Sequence, residues 1–236
     1  MSAGFFFTLR TKFYLYFCIM HFDTSTADRP IKNIIFDLGN VLLDIDFHRL
    51  KPAFEKLGIE HFDQQYSIMH ASDIFVQIEK GQLTPREFFD EIRRQSSSAL
   101  TDEQLADAFC SMLIGFRLES LDFIRQLTSH YRIFLLSNSN AIHLQKIQSL
   151  YLLSTGSQNL HALFEKAYFS HEIGMRKPET DVYSFVLQDA GIEAEETLFI
   201  DDVLENIKPA QSAGWKTHLL LKDERVENLP YWCKVD

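Results

Sequence analysis

Cysteine is scarce in this chain, and the spacing of its cysteines offers no disulfide framework. Cys18, Cys110 and Cys233 are three in 236 residues and lie far apart. That excludes a disulfide framework and a metal knuckle, and it points to a reducing, cytoplasmic setting. Nine histidines are scattered without metal-pair spacing on a helix, so most read as surface or packing residues. Positive charge is in deficit: 23 Lys and Arg stand against 33 Asp and Glu, a formal net charge of -10 with a pI near 5.4. A nucleic-acid or anionic-membrane partner needs a basic footprint, so neither is expected. Long apolar runs are missing too. The longest, Phe13 to Met20, is too short for a bilayer, which takes about 20 apolar residues. There is no internal repeat and no low-complexity tract.

What remains is ordinary globular composition, 46% hydrophobic and 24% charged, enough for one sizeable core or a core with a smaller insert. Residues 1–30 stand apart from it. Phe5-Phe6-Phe7, Arg10 and Lys12 precede the short apolar run. They fit a signal peptide with a small-residue site near Ser25-Thr26-Ala27, or an extension upstream of a start at Met20. The expectation is a non-catalytic extension joined by a linker over Thr24 to Pro30.

The chain proper opens on Ile34-Ile35-Phe36, an apolar run typical of a buried parallel strand, which ends in Asp37 and the turn-forming Leu38-Gly39-Asn40. From Phe47 to about Phe116 the pattern is helical throughout. Phe54, Leu57, Phe75, Ile78, Phe88, Phe89 and Ile92 recur at three- and four-residue spacing, and two capping boxes, Thr84-Pro85-Arg86-Glu87 and Thr101-Asp102-Glu103-Gln104, cut the stretch into short helices. Further strands are expected at Arg132 to Leu136, Lys166 to Phe169, Thr197 to Ile200 and Lys216 to Leu221. Helices are expected at Leu121 to Leu127, His143 to Leu152, Pro178 to Gly191 and from Leu204 towards Gly214, with a polar loop over Ser154 to Asn159. Strands alternating with helices call for an α/β fold, a Rossmann-like parallel sheet covered on both faces.

In such a sheet every strand delivers its carboxyl end to one edge, where ligands bind. The strand ends here carry Asp37, then Ser137 with Asn138, then Lys177 on the loop after the third strand, then Asp201 with Asp202. Each has a plain structural reading: a turn, a solvated lysine, a helix cap. Together they are chemically coherent. Close carboxylates repel unless a cation lies among them, and hard oxygen donors suit Mg²⁺. A hydroxyl, free backbone N–H groups and a lysine suit phosphate oxygens.

IIFDLGNVLLD, LLSNSN, GMRKPE and FIDD followed by Asn206 resemble, in order, the four motifs of the haloacid dehalogenase-like hydrolase superfamily. The wording is closest to glucose-1-phosphate phosphatase-like sugar phosphatases and to the phosphatase domain of soluble epoxide hydrolase. The resemblance implies a five-stranded parallel core in order 5-4-1-2-3, formed by residues 31–46 and 117–236, with an inserted α-helical cap over 47–116. It implies a Mg²⁺-dependent phosphomonoester phosphatase, a small sugar or metabolite phosphate as partner (a sugar 1-phosphate as best guess), and an aspartyl-phosphate intermediate. Asp37 is then the nucleophile. Lys177 neutralises Asp37 and the phosphate, which is held by Leu38, Gly39, Ser137, Asn138 and Lys177. Mg²⁺ takes Asp37, the Gly39 carbonyl, Asp202 directly and Asp201 in the first or second shell, while Asn206 fixes that loop.

One position departs from the pattern. The superfamily's first motif has a second Asp that serves as general acid and base, and here that slot is Gly39. Asp44, Asp46 and His48 follow closely and are the candidate substitutes. A haloacid dehalogenase, which needs no leaving-group acid, is the alternative enzyme, and a non-catalytic regulatory protein is the alternative from another class. At this level Lys177→Ala is expected to harm phosphate binding and to relieve strain in the apo fold.

Overall fold

The computed structural model of the chain describes residues 29–59, 73–94, 96 and 99–232. The extension and most of the linker expected before Arg29 lie outside these residues, as do Cys18 and Cys233.

A five-stranded parallel sheet forms the centre, with strands β1 (Asn33–Phe36), β4 (Arg132–Ser137), β5 (Lys166–Phe169), β6 (Thr197–Asp201) and β7 (Lys216–Leu219). Their order is β5-β4-β1-β6-β7, the arrangement implied by the four-motif resemblance. Alternate residues along each strand enter opposite layers, as the strand period of two requires. Ile34, Phe36, Ile133, Leu135, Leu198 and Ile200 face one apolar layer, which also takes helix α5 (Leu118–Leu127) and α6 (Ala141–Thr155). Ile35, Phe134, Leu136 and Phe199 face the other, with α8 (Thr180–Ala190) and α9 (Leu204–Ser212). Burial on both faces explains why the strands read as continuous apolar runs.

Register fixes the functional edge. Phe36 pairs with Leu135 on one side and Ile200 on the other, so Asp37, Ser137 and Asp201 leave the sheet at neighbouring points. The chain runs from β1 outward through β4 and β5, then returns to β6 on the opposite flank. β1 therefore lies at a topological switch point.

Between β1 and β4 sits the helical segment, with α1 (Leu50–Glu55), α2 (Ile74–Glu79), α3 (Pro85–Arg93) and α4 (Asp102–Cys110). Both capping boxes form, with Thr84 accepting from the Glu87 N–H and Thr101 from the Gln104 N–H. Phe88 packs against Phe109 with ring centroids 4.9 Å apart, and Phe109 stacks on His143 of α6 at 4.2 Å. His143 is a packing histidine. Burial lowers its pKa to about 4, and its Nδ1 accepts from the Asn140 amide.

Three expectations need correction. The segment is not helical to Phe116: Leu113–Phe116 is strand β3, antiparallel to β2 (Leu43–Ile45). Apolar spacing carries on from α4 without a break, and a strand partner so distant in sequence leaves no local mark. Helix α6 runs on through Ser154 to Thr155 and stops at Gly156, whose φ is 73°. Helix α8 starts at Thr180, beyond Pro178, and the chain before it turns through the short α7 (Ser170–Ile173). No helix among the described residues is long and apolar enough to cross a membrane.

The end of α2 docks on the core segment that carries Lys177. Glu79 accepts from Arg176 Nε at 2.8 Å, and Lys80 donates to both oxygens of Glu179 at 2.9 and 2.8 Å. Gly81 follows with φ 67°, and a Cβ there would lie 2.3 Å from the His171 carbonyl oxygen. Gly81→Ala meets both a left-handed backbone and an immovable backbone atom. It should lower stability by more than about 1 kcal/mol, read as an earlier urea midpoint with faster proteolysis around α2.

Candidate active site

Four buried groups converge at the carboxyl edge of the sheet. Asp37 follows β1, and its N–H extends the ladder by donating to the Ile200 carbonyl at 2.9 Å. Asp201 ends β6 fully buried, and Ser137 ends β4, 3% exposed. Lys177, 1% exposed, reaches in from the loop beyond α7. Its Nζ donates to Asp37 Oδ1 at 2.7 Å and to Asp201 Oδ2 at 2.6 Å. The Asn138 side chain grips the Lys177 backbone at both ends, accepting its N–H at 2.9 Å and donating to its carbonyl at 2.8 Å. Asp201 is further held by Asn206 Nδ2 on both oxygens, at 3.1 and 3.0 Å, and by the Val203 N–H at 2.8 Å. Tyr183 of α8 donates to the Asn206 carbonyl at 2.8 Å.

Oxygens of Asp37, Asp201 and Asp202 lie within 4.8 Å of one another. Three carboxylates against the one ammonium leave a formal charge of 1 − 3 = −2 when all are ionised. The strain shows in the acidities. Burial pushes Asp37 up to about 7 despite the Lys177 ammonium, and Asp201 and Asp202 add to the rise. Asp202 is also raised, chiefly by burial, against the hydrogen bond from Asn40. Burial works against the charge on Lys177, but Asp37 and Asp201 together hold its pKa above the ordinary lysine value. The site has its lysine charged and lacks positive charge overall, which a divalent cation with oxygen ligands would supply.

Residues 31–214 match the haloacid dehalogenase-like hydrolases. The chain belongs to this family. It is 33% identical over 187 residues to a D-ribitol-5-phosphate phosphatase of Bacteroides thetaiotaomicron, an alignment covering 79% of this chain and 90% of that protein. It is 25% identical to a sesquiterpene phosphatase of Aspergillus oryzae, over 78% of this chain and 86% of the relative. Among solved structures, it matches a HAD family enzyme of Bacteroides thetaiotaomicron in complex with magnesium and inorganic phosphate. That match has a TM-score of 0.75 and 35% identity, over 83% of this chain and 97% of that one.

In this haloacid dehalogenase-like hydrolase the structure brings Asp37, Lys177, Asp201 and Asp202 into one cluster, with Ser137 and Asn138 beside it. Leu38 is 2% exposed in the apolar core, and its carbonyl takes the N–H groups of Leu42 and Leu43. Gly39 is crowded: a Cβ there would lie 2.7 Å from Ile45 Cδ1 and 3.8 Å from Asp37 Oδ2. The candidate replacements for a general acid are engaged elsewhere or exposed. Asp44 Oδ1 accepts from Arg117 Nε at 2.7 Å, Asp46 caps a turn by accepting the His48 N–H, and the His48 side chain is exposed.

Two participants escape the motif reading. Asn40 has φ 52° and donates from Nδ2 to Asp202 Oδ2 at 3.0 Å. Ser170 ties the loops after β4 and β5 together: its Oγ accepts the Ser139 N–H and donates to the Ser139 carbonyl, both at 2.9 Å. The Gly39-Asn40 pair signals only a turn, and nothing in the sequence links Ser170 to Ser139.

An acid raised on folding favours the folded state while protonated, and that stability is lost as pH rises through the folded value. For Asp37 the window runs from its unfolded value of 3.8 to about 7. In metal-free buffer the wild-type Tm should therefore fall across this window relative to Asp37→Asn. The variant should be the more stable protein at pH 8, as differential scanning fluorimetry of the pair would show. The same burial reverses the expectation for Lys177→Ala. Removing one partner of a buried ionic cluster strands the other charges, so near neutral pH the variant should lose about 3–5 kcal/mol in a urea titration.

Proposed function

We propose that the protein is a Mg²⁺-dependent phosphomonoester phosphatase for a small sugar or metabolite phosphate, working through an aspartyl-phosphate on Asp37. The observation that carries this reading is the Lys177 ammonium held between Asp37 and Asp201 with Asp202 alongside. The phosphatase relatives support it, and so does the neighbour's complex with magnesium and inorganic phosphate.

The donor set fits the metal: hard carboxylate oxygens, clustered and short of positive charge. Asp37, the Gly39 carbonyl, Asp201 and Asp202 are the residues that would hold it. Asp201 already takes two donors on each oxygen, from Lys177, Asn206 and Val203. Its lone pairs are spent, so Asp202 would make the direct contact and Asp201 would support it from behind. When bound, Mg²⁺ offsets the carboxylate charge and that building on the transferred phosphoryl group.

The chain's own groups do the rest. Asp37, ionised beside Lys177, adds an oxygen to phosphorus as the ester P–O bond breaks and the leaving oxygen takes the electron pair. Lys177 stabilises the phosphoryl oxygens, with the Ser137 hydroxyl and the Asn138 N–H as further donors. Water then attacks phosphorus as the P–O bond to Asp37 breaks. The electron pair returns to the Asp37 carboxylate, a water proton passes through solvent to the departed oxyanion, and inorganic phosphate is released. Positioning and charge stabilisation are what phosphoryl transfer demands.

With glycine at position 39 no acid meets the leaving oxygen, and general acid catalysis is typically worth about a hundred- to ten-thousand-fold in rate. The best substrate is then one whose leaving group needs little protonation, such as a sugar 1-phosphate, which departs as a hemiacetal oxyanion. A second reading, a polyol phosphate on a primary alcohol, is favoured by the D-ribitol-5-phosphate phosphatase relative. A haloacid dehalogenase would need no leaving-group acid but also no metal site, and the acidic cluster counts against it. A non-catalytic role leaves the retained Asp37, Ser137, Lys177, Asp201 and Asp202 without a use.

Turnover of phosphate esters should require Mg²⁺ and vanish in Asp37→Asn and in excess EDTA; full activity in EDTA sinks the reading. Sugar 1-phosphates and p-nitrophenyl phosphate should show higher kcat than 6-phosphates of the same sugars. Equal or higher kcat on the 6-phosphates or on D-ribitol 5-phosphate transfers the assignment to the second reading. Gly39→Asp combined with Ile45→Val, which removes the crowding methyl, should help 6-phosphates more than 1-phosphates.

A further inference from the structure

We infer that Asn40 is a positioning residue for the metal site: it holds Asp202 in place and couples that carboxylate to the strand leading into the helical insert. The inference rests on the Mg²⁺ reading above.

Asn40 makes three tertiary or turn contacts at once. Its Nδ2 donates to Asp202 Oδ2 at 3.0 Å, its Oδ1 accepts the Ile45 N–H at 3.1 Å, and its own N–H donates to the Leu43 carbonyl at 2.7 Å. Ile45 is the last residue of β2, and the helical segment begins just beyond it. One side chain therefore spans the loop after β1, the loop after β6 and the exit of β2. Among described non-glycine residues, only Asn40 and Asp73 have positive φ, and asparagine is among the few side chains that tolerate that conformation.

The chemistry at this point is restrictive. Asp202 sits beside Asp201 and Asp37, so its second partner has to donate without adding negative charge. A lysine or arginine would occupy the place of the cation. A neutral amide gives one donor to Asp202 and one acceptor to Ile45, and it leaves the other Asp202 oxygen directed by neither. Groups that orient a ligand in this way typically set metal affinity by about ten- to a hundredfold.

The test is a Mg²⁺ titration by isothermal calorimetry on EDTA-stripped protein, for the wild type and for Asn40→Gly, which keeps the left-handed backbone and removes the amide. The Mg²⁺ Kd should rise by about ten- to a hundredfold. Asn40→Ala, which deletes the same two arms but keeps a Cβ, should shift the Kd in the same direction and serves if the glycine variant does not fold. A double-mutant cycle separates positioning from general loosening. In an Asp202→Ala background, Asn40→Gly should leave whatever Mg²⁺ affinity remains unchanged, whereas a merely structural role would weaken it by the same factor again. A wild-type protein that binds Mg²⁺ and an Asn40→Gly variant within twofold of it overturn this inference and leave the phosphatase reading standing. A wild type that binds no Mg²⁺ overturns the metal reading itself.

Discussion

A single ammonium group, Lys177 Nζ, is shared between Asp37 and Asp201 at the edge of the sheet, and the site depends on it. All three side chains are buried. None of the charges would be stable there alone, because an ion taken out of water costs several kcal/mol unless its partners are fixed in place. The sheet does the fixing. β1 and β6 are adjacent and in register, so Asp37 and Asp201 leave it side by side, and the loop after α7 brings Lys177 down between them.

The residues that hold this arrangement are mostly amides. Asn138 clamps the Lys177 backbone, Asn206 braces both oxygens of Asp201, and Asn40 steadies Asp202. An amide offers a donor and an acceptor with no net charge. Further carboxylates would add to the repulsion from Asp201 and Asp202 at Asp37, which burial already lifts to about 7, and cations would fill the place open to a metal. Ser170 acts in the same way on the other flank, joining the loops of β4 and β5 through a neutral hydroxyl.

The helical segment is tied to the same place. Arg176 and Glu179, on either side of Lys177 in sequence, pair with Glu79 and Lys80 in opposite senses of charge. These pairs are partly exposed, so each contributes modestly, but their reversed signs fix the register of one segment against the other. A shift of α2 is thereby felt at the backbone that carries the buried lysine. Close packing of Gly81 on the His171 carbonyl makes the contact intolerant of even one added carbon.

The strands of the main sheet, their parallel sense and the chemistry at their ends were legible in the sequence. A strand buried on both faces writes itself as an apolar run, and a carboxylate or lysine just past such a run stands out. Ile34-Ile35-Phe36 before Asp37 and Leu198-Phe199-Ile200 before Asp201 are examples, as are the two capping boxes, whose hydrogen bonds are local. The sequence did not disclose what depends on contacts between distant segments. The pairing of β2 with β3 leaves no local mark: β3 lies within the helical pattern, each strand is short, and its partner lies beyond the intervening helices. That Asp44 answers to Arg117 rather than to the reacting atoms, that Asn40 faces Asp202, and that Ser170 closes on Ser139 are likewise tertiary facts. Sequence alone determined which groups reach the edge of the sheet, since strand period and strand ends are local properties of the chain. Only the tertiary structure decided which carboxylates share the lysine, which one lies beside them without it and which neutral side chain holds each one. Those choices follow from burial and distance, and both exist only once the strands lie next to one another.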